Sequence, residues 1–160
     1  MRYETSSDSV EASIELGRRI GAALPDKAIV LLEGEMGAGK TAFTKGIYRG
    51  RGGADDRGVV SPSYTIVNRY DELSTPFWHV DLYRLEEPRA LLGLEYEDFL
   101  YGESGTTVVE WPRETRSLVD ATEVLQIEIR PGDAPERRRI SVEATGPRYK
   151  DVFLELLRPC

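Results

Sequence analysis

The chain has 160 residues, 40% of them hydrophobic and 31% charged, and its formal net charge is -7 at pH 7. This size and balance predict one soluble domain, 1–160, without a membrane-spanning segment, and the acidic charge argues against DNA or a broad RNA surface as a direct partner. The only cysteine is the last residue, which excludes an intrachain disulfide and fits a cytoplasmic location.

The first predicted element is a helix that begins at a capping-box-like pair, Asp8 and Glu11, and has apolar residues at helical spacing until Pro25 ends it. The continuous apolar run at 28–32 predicts a parallel strand covered on both faces. A glycine-rich turn follows, and a second helix is predicted over 40–49. The first quarter of the chain is therefore expected to be helix, strand, helix.

Strands and helices continue to alternate through most of the remaining chain. The predicted elements are a Gly- and Asp-rich loop at 50–62, strands at 63–70, 77–80, 106–110, 123–130 and 137–144, a helical region at 88–100 and a terminal helix at about 149–157. The hairpin and helix at about 124–158 are expected to belong to the same domain. This order predicts an α/β three-layer sandwich whose central sheet is mixed and partly antiparallel.

The segment GEMGAGKT, residues 34–41, has the spacing of a phosphate-binding loop and lies between a predicted strand and a predicted helix. Its three glycines let the backbone fold around a phosphate, and the following helix adds the positive end of its dipole. Lys40 would reach the β- and γ-phosphates, and the Thr41 hydroxyl would ligate magnesium. A guanine-reading Asn-Lys-x-Asp segment is missing from the sequence, which favours adenine as the base.

A phosphate loop that performs chemistry also needs an acidic group near the metal. Asp81 and Glu110 each follow a predicted buried strand, at the edge where α/β folds bind ligands. Each could be that acidic group or a solvated strand end. His79 is the only histidine and shares a strand face with Asp81, so it could be a base or a packed, hydrogen-bonded side chain.

Three further features allow two interpretations each. The aromatic residues Tyr64, Tyr70, Trp78, Tyr83 and Trp111 could form a stacking surface or could be core packing. The arginines at 137–139 could form a lid over phosphates, as in small-molecule kinases, or a solvated strand face. The acidic segment 92–103 could hold a metal, but its composition favours an amphipathic surface helix.

Four segments occur in the order LEGEMGAGKTAFTKGI, SPSYTIVNRY, HVDLYRL and VVEWP. Together they resemble the TsaE family, small bacterial ATPases of the machinery that makes threonylcarbamoyladenosine (t6A) on tRNA. The resemblance extends over about 13–112 and weakens beyond. It implies a P-loop NTPase-like fold, ATP and Mg²⁺ as cofactors, and hydrolysis that is slow until partner proteins order a switch. It also implies that TsaD and TsaB are the partners, and that tRNA is reached only through their complex.

The same resemblance assigns roles to residues. Phosphate binding is assigned to Gly37, Ala38, Gly39, Lys40, Thr41 and Ala42, magnesium binding to Thr41 and Glu110, and catalysis to Lys40, Asp81 and Glu110. Residues 61–65 look like the family's γ-phosphate switch, although Ser63 stands where threonine is frequent, and Trp111 looks like an aromatic residue facing nucleotide or partner. Two alternative functions are a small-molecule kinase with this loop and a nucleotide-gated binding module with negligible turnover.

Overall fold

The computed structural model describes residues 1–62, 65–83, 104–111 and 123–159. Within them, the elements in chain order are β1 (Arg2–Ser7), α1 (Val10–Ala23), β2 (Ala28–Glu33), α2 (Lys40–Gly50), β3 (Val67–Tyr70), β4 (Phe77–Asp81), β5 (Thr106–Glu110), β6 (Leu125–Pro131), β7 (Arg138–Ala144), a 3-10 turn (Pro147–Tyr149) and α3 (Lys150–Leu156). The predicted helical region at 88–100 and the acidic segment at 92–103 lie outside the described residues.

The seven strands form one sheet in the order β1-β7-β6-β2-β5-β4-β3. The four central strands, β6, β2, β5 and β4, are parallel to one another. The strands outside them pair antiparallel, β7 with β6, β1 with β7, and β3 with β4. The prediction of an α/β fold with a mixed, partly antiparallel sheet is therefore confirmed, and the carboxyl ends of the parallel strands meet at one edge.

The central strands are buried on both faces. Side chains of all three helices pack against one face, where Ile20, Phe43 and Phe153 belong to the same cluster as Val30 of β2. The opposite face of β2 is also buried, and Ile29 lies there in a second cluster. This two-sided burial is the physical reason that β2 has an uninterrupted apolar sequence. None of the described helices is long and apolar enough to cross a bilayer.

Helices α1 and α2 are in unusually close contact through pairs of glycines spaced four residues apart. Gly17 and Gly21 of α1 face Gly46 and Gly50 of α2, and a Cβ at any of these positions would collide with backbone atoms of the facing helix. The missing side chains let the two backbones touch. As a result α2, which begins at Lys40, is held firmly against α1.

Two predictions about the N-terminal segment are wrong. The sequence analysis identifies no element before the first helix, but β1 is an edge strand whose six residues all pair with β7. The helix cap is not Asp8: Ser9 is the N-cap residue, and its hydroxyl accepts a hydrogen bond from the Ala12 amide at 3.1 Å. Asp8 instead pairs with Arg137 at 2.7 Å, a partner 129 residues away that local sequence does not reveal.

Two other element boundaries differ from the prediction. Strand β3 begins at Val67, because the preceding Ile66 has a left-handed φ of 68°, which interrupts extended structure; residues 63 and 64 of the predicted strand lie outside the described residues. The terminal helix begins at Lys150, and Tyr149 belongs to the 3-10 turn before it. The Tyr149 hydroxyl accepts a hydrogen bond from the Ile29 amide at 3.0 Å, which attaches this turn to the central strand β2.

Candidate functional site

The loop between β2 and α2 has the backbone conformation that its glycines predict. Gly37 and Gly39 have φ values of 80° and 100°, and no atom lies within 4 Å of a Cβ built on either. Backbone conformation, and not crowding, therefore requires glycine at both positions. Gly39 is the N-cap residue of α2 and provides no side-chain cap, so the first amides of the helix are available to an anion.

Lys40, the first residue of α2, is folded back over this loop. Its ammonium group donates hydrogen bonds to the carbonyl oxygens of Gly34, at 2.5 Å, and Glu35, at 3.0 Å. The same group lies 4.2 Å from the ring centroid of Trp111, a cation–π contact. Burial lowers the pKa of Lys40, and the negative charges of Glu110 and Asp81 oppose this shift. The loop carbonyls, the Trp111 ring and the two carboxylates thus all stabilise the positive charge of Lys40.

Asp81 and Glu110 end neighbouring parallel strands and are register partners. Both residues are almost fully buried, with 4% and 2% of their surface exposed, so neither is a solvated strand end. The Asp81 carboxylate accepts hydrogen bonds from the Ser61 hydroxyl at 3.0 Å and from the Tyr83 amide at 2.9 Å. Sheet register therefore brings two acidic groups together next to the phosphate loop.

His79 lies behind Glu110 and not in the open part of the site. Its Nε2 atom is 3.0 Å from Oε1 of Glu110, and the imidazole side chain is completely buried. A base that activates water must reach that water, so burial argues against this role for His79. The interpretation of His79 as a packed, hydrogen-bonded side chain agrees with this position.

A cavity of about 360 Å³ connects most of the predicted site residues. It is lined by Met36, Gly37, Gly39, Lys40, Thr41, Ser61, Asp81, Glu110 and Trp111. One space is thus shared by the loop lysine and threonine, the two strand-end carboxylates, Trp111, and Ser61 of the predicted switch. Met36, which sequence analysis did not select, forms an exposed part of its wall.

Two predicted phosphate-binding residues, Ala38 and Ala42, lie on another side of the loop. They line a smaller cavity of about 80 Å³ together with Ser9, Ser13 and Arg138. The Arg138 guanidinium donates from Nε to the Ala38 carbonyl oxygen at 3.0 Å. This contact joins residues 100 positions apart, and the only sequence signal for it was the arginine run at 137–139.

The donor set of the larger cavity fits magnesium. Thr41 provides a hydroxyl oxygen and Glu110 a carboxylate, the hard oxygen ligands that Mg²⁺ prefers, and Mg²⁺ commonly uses one or two carboxylates together with substrate phosphates. Within the described part of the chain, no cluster of three or more His, Cys, Asp or Glu residues could hold a metal ion.

Part of the predicted switch segment is visible beside the cavity. Ser61 contacts Asp81, and the Thr65 hydroxyl donates to the Asn68 side chain at 2.8 Å, whereas residues 63 and 64 lie outside the described residues. Ile66, directly after the segment, has a φ of 68°, a strained conformation for a β-branched residue. The segment therefore connects the cavity to a strained turn at the start of β3.

The described aromatic residues do not form one stacking surface. Tyr70 packs edge-on against Phe77, whereas Tyr83 packs against Trp111 with ring centroids 5.0 Å apart. Trp78 belongs to the second core cluster, and Tyr64 lies outside the described residues. Tyr70 also packs against the core, whereas Tyr83 is 52% exposed; among the described members of this set, only Trp111 lines the larger cavity.

A family model and two sequence relatives of this chain agree with one another. The family model described as "Threonylcarbamoyl adenosine biosynthesis protein TsaE" matches residues 7–140. The tRNA threonylcarbamoyladenosine biosynthesis protein TsaE of Bacillus subtilis strain 168 is 40% identical over 131 residues, which cover 81% of this chain and 78% of the relative. The protein of the same name from Synechocystis is 40% identical over 115 residues, 68% of this chain and 69% of the relative.

A solved structure supports the fold. The crystal structure of YdiB from Bacillus subtilis superposes with a TM-score of 0.75 at 27% sequence identity. The alignment covers 98% of this chain and 94% of that protein, so the similarity includes the C-terminal third, where the sequence resemblance is weak.

Proposed function

The chain belongs to the TsaE family, and from this we propose that it is a magnesium-dependent ATPase that serves t6A synthesis on tRNA. The names of the relatives support the t6A part of the proposal. The ATPase part depends on one observation: the loop lysine and threonine share a cavity with two buried strand-end carboxylates at the N-terminus of α2.

Phosphate binding would use the amides at the start of α2 together with the ammonium group of Lys40. The free amides at the start of α2 and the ammonium group of Lys40 provide the positive charge that a triphosphate requires. Lys40 now donates to two loop carbonyls, and phosphate oxygens would offer it stronger, charged acceptors. Trp111 packs on the same ammonium group and would hold it over the loop.

Thr41 and Glu110 would hold magnesium, with Asp81 acting on the ion or on its water. When bound, Mg²⁺ would neutralise charge on the phosphate oxygens. The chain's own contribution is orientation, since Asp81 and Glu110 are each fixed by hydrogen bonds before any ligand arrives. Hydrolysis of a γ-phosphate depends mainly on such positioning and charge stabilisation.

Ser61 would report the state of the nucleotide to the surface. It is exposed, lines the cavity and donates to Asp81, so a γ-phosphate beside Lys40 would lie close to this contact. A rearrangement here would move the segment that leads to the strained Ile66. We propose that TsaB and TsaD stabilise the hydrolytic arrangement of this segment, and that turnover is slow without them.

The acidic composition suits a role through partners. With a net charge of -7, the chain lacks the excess of basic residues that a long RNA surface needs, so TsaD and TsaB would hold the tRNA. The same partners would carry out the transfer of the threonylcarbamoyl group. Cytoplasmic function is part of the proposal, in agreement with the single cysteine.

The test is incubation of the chain with ATP and Mg²⁺, alone and with TsaB, TsaD, tRNA and the threonylcarbamoyl donor. We expect inorganic phosphate as the product, faster release with the partners, and several rounds of t6A formation per partner complex. Transfer of phosphate to a small molecule would indicate the kinase alternative, although no arginine is among the described residues that line the cavity. Absence of turnover even with the partners would indicate the nucleotide-gated binding module.

A further inference from the structure

A buried hydrogen bond lies directly behind the proposed metal ligand. His79 is in the middle of β4, and its register partner in β5 is Val108, two residues before Glu110. The imidazole extends toward the carboxyl end of the sheet, and its Nε2 atom lies 3.0 Å from Oε1 of Glu110. The His79 side chain is 0% exposed and that of Glu110 is 3% exposed, although Glu110 also lines the larger cavity. This contact is therefore shielded from water.

The chemistry of the pair assigns its donor and acceptor. A carboxylate that ligates a metal ion is ionised and only accepts hydrogen bonds, so Glu110 in that role requires the hydrogen to be on Nε2 of His79. The Nδ1 atom is buried and contacts no hydrogen-bond partner among the described residues. Of its two nitrogens, His79 thus uses only the one that faces Glu110, and this contact is the one specific polar interaction that the described structure gives to the imidazole.

We propose that His79 is a positioning residue: its Nε2–H holds one oxygen of Glu110 and so directs the other oxygen toward the cation site beside Thr41. This inference rests on the proposed function, since it assumes that Glu110 is the metal ligand. Ligating carboxylates are commonly held by hydrogen bonds of this kind, which fix the orientation of the ligand before the metal binds. Without His79, the Glu110 carboxylate would lose this hydrogen bond and the orientation that it fixes.

The test compares amide and apolar replacements of His79. In His79→Gln the amide nitrogen can occupy the place of Nε2 and donate to Glu110, whereas the shorter side chain in His79→Asn cannot reach it. His79→Leu keeps volume but removes the donor. Thr106→Val is the matched control, because Thr106 is buried in the neighbouring strand, its hydroxyl has no hydrogen-bond partner among the described residues, and it lies four residues from Glu110.

The measurement is Mn²⁺ affinity by electron paramagnetic resonance, with a non-hydrolysable ATP analogue bound. Second-layer contacts of this kind are worth about 10- to 100-fold in metal affinity. We expect Mn²⁺ affinity to fall by that factor in His79→Asn and His79→Leu, and to be retained in His79→Gln and Thr106→Val. Nucleotide affinity measured in EDTA should stay close to that of wild type in all four variants, because the phosphate contacts remain. Unchanged Mn²⁺ affinity in a folded His79→Leu protein would overturn the inference.

Two further measurements keep the outcomes separate. If wild type has no Mn²⁺ affinity, the proposed function fails. If Glu110→Ala retains that affinity, Glu110 is not the metal ligand. If only the His79 variants behave like wild type, the inference alone fails. Because the chain contains one histidine, its two ring ¹⁵N signals in the wild-type protein need no assignment to a residue, only to Nδ1 or Nε2. Hydrogen on Nε2, with a shift of that signal in Glu110→Gln, is expected, whereas a bare Nε2 would refute the positioning role without any His79 variant.

Discussion

The contact between α1 and α2 leads to a specific stability prediction for Gly46→Ala. A Cβ on Gly46 would overlap the carbonyl oxygen of Ile14 and lie 3.0 Å from the Cα of Gly17. These are backbone atoms, so no side-chain rotation can relieve the overlap. The two helices must move apart, and α2 carries the phosphate loop at its N-terminus.

The expected magnitude follows from two opposing effects. Overpacking costs about 1–3 kcal/mol, and the upper half of this range applies because backbone meets backbone. The better helix propensity of alanine returns about 1 kcal/mol. The net loss in the free energy of unfolding is therefore about 1–2 kcal/mol, which corresponds to a Tm lower by roughly 2–8 °C in a domain of this size.

Thermal unfolding followed by circular dichroism measures this effect. The matched control is Gly58→Ala, in which the same substitution is made at a loop glycine with no atom within 4 Å of the new Cβ and no positive φ. The control should keep or slightly raise the Tm, by the equivalent of about 0.4–1 kcal/mol, because alanine restricts the unfolded chain. If Gly46→Ala unfolds at or above the wild-type temperature, the close-contact argument is refuted.

Three other predictions concern the site and its support. Lys40→Ala should weaken ATP binding by about 10- to 100-fold in calorimetry, since a charged hydrogen bond contributes about 1.5–3 kcal/mol. The control Lys45→Ala should bind ATP with wild-type affinity, because Lys45 is not among the residues that line the cavity. Glu110→Ala should retain most ATP binding but lose magnesium-dependent phosphate release; hydrolysis at the wild-type rate would exclude Glu110 from the metal site. Tyr149→Phe should lower the free energy of unfolding by about 1–3 kcal/mol, because the buried Ile29 amide loses its hydrogen-bond acceptor. Urea titration measures this change, and an unchanged unfolding midpoint would contradict the reasoning.

The backbone conformation of the predicted phosphate loop follows from its local sequence. The phosphate loop spans eight residues between a strand and a helix, and the glycines at 37 and 39 have the left-handed conformations that such a loop needs. The alternation in β4 also predicts that His79 and Asp81 share a face, and both lie toward Glu110 or the cavity. These features depend on backbone preferences within a few residues, so local sequence contains the information.

Errors arose where a distant partner determines the structure. The polar N-terminal segment becomes a strand because β7 offers it a free edge, and the sequence of Arg2–Ser7 does not contain that partner. Asp8 forms an ion pair with Arg137, and Ser9 caps α1 in its place. The local pattern pointed to Asp8 as the cap, and it did not contain this tertiary contact.

By itself, the sequence determined the glycine-rich turn at 34–41, the alternating α/β pattern and the family, since each depends on residues that are close together or in a fixed order. Only the tertiary structure decided how the catalytic candidates meet. The parallel register of β4 and β5 places Asp81 beside Glu110, and it lets His79 reach a carboxylate 31 positions away. Pairing between strands is a long-range interaction, so the geometry of this site exists only once the sheet has assembled.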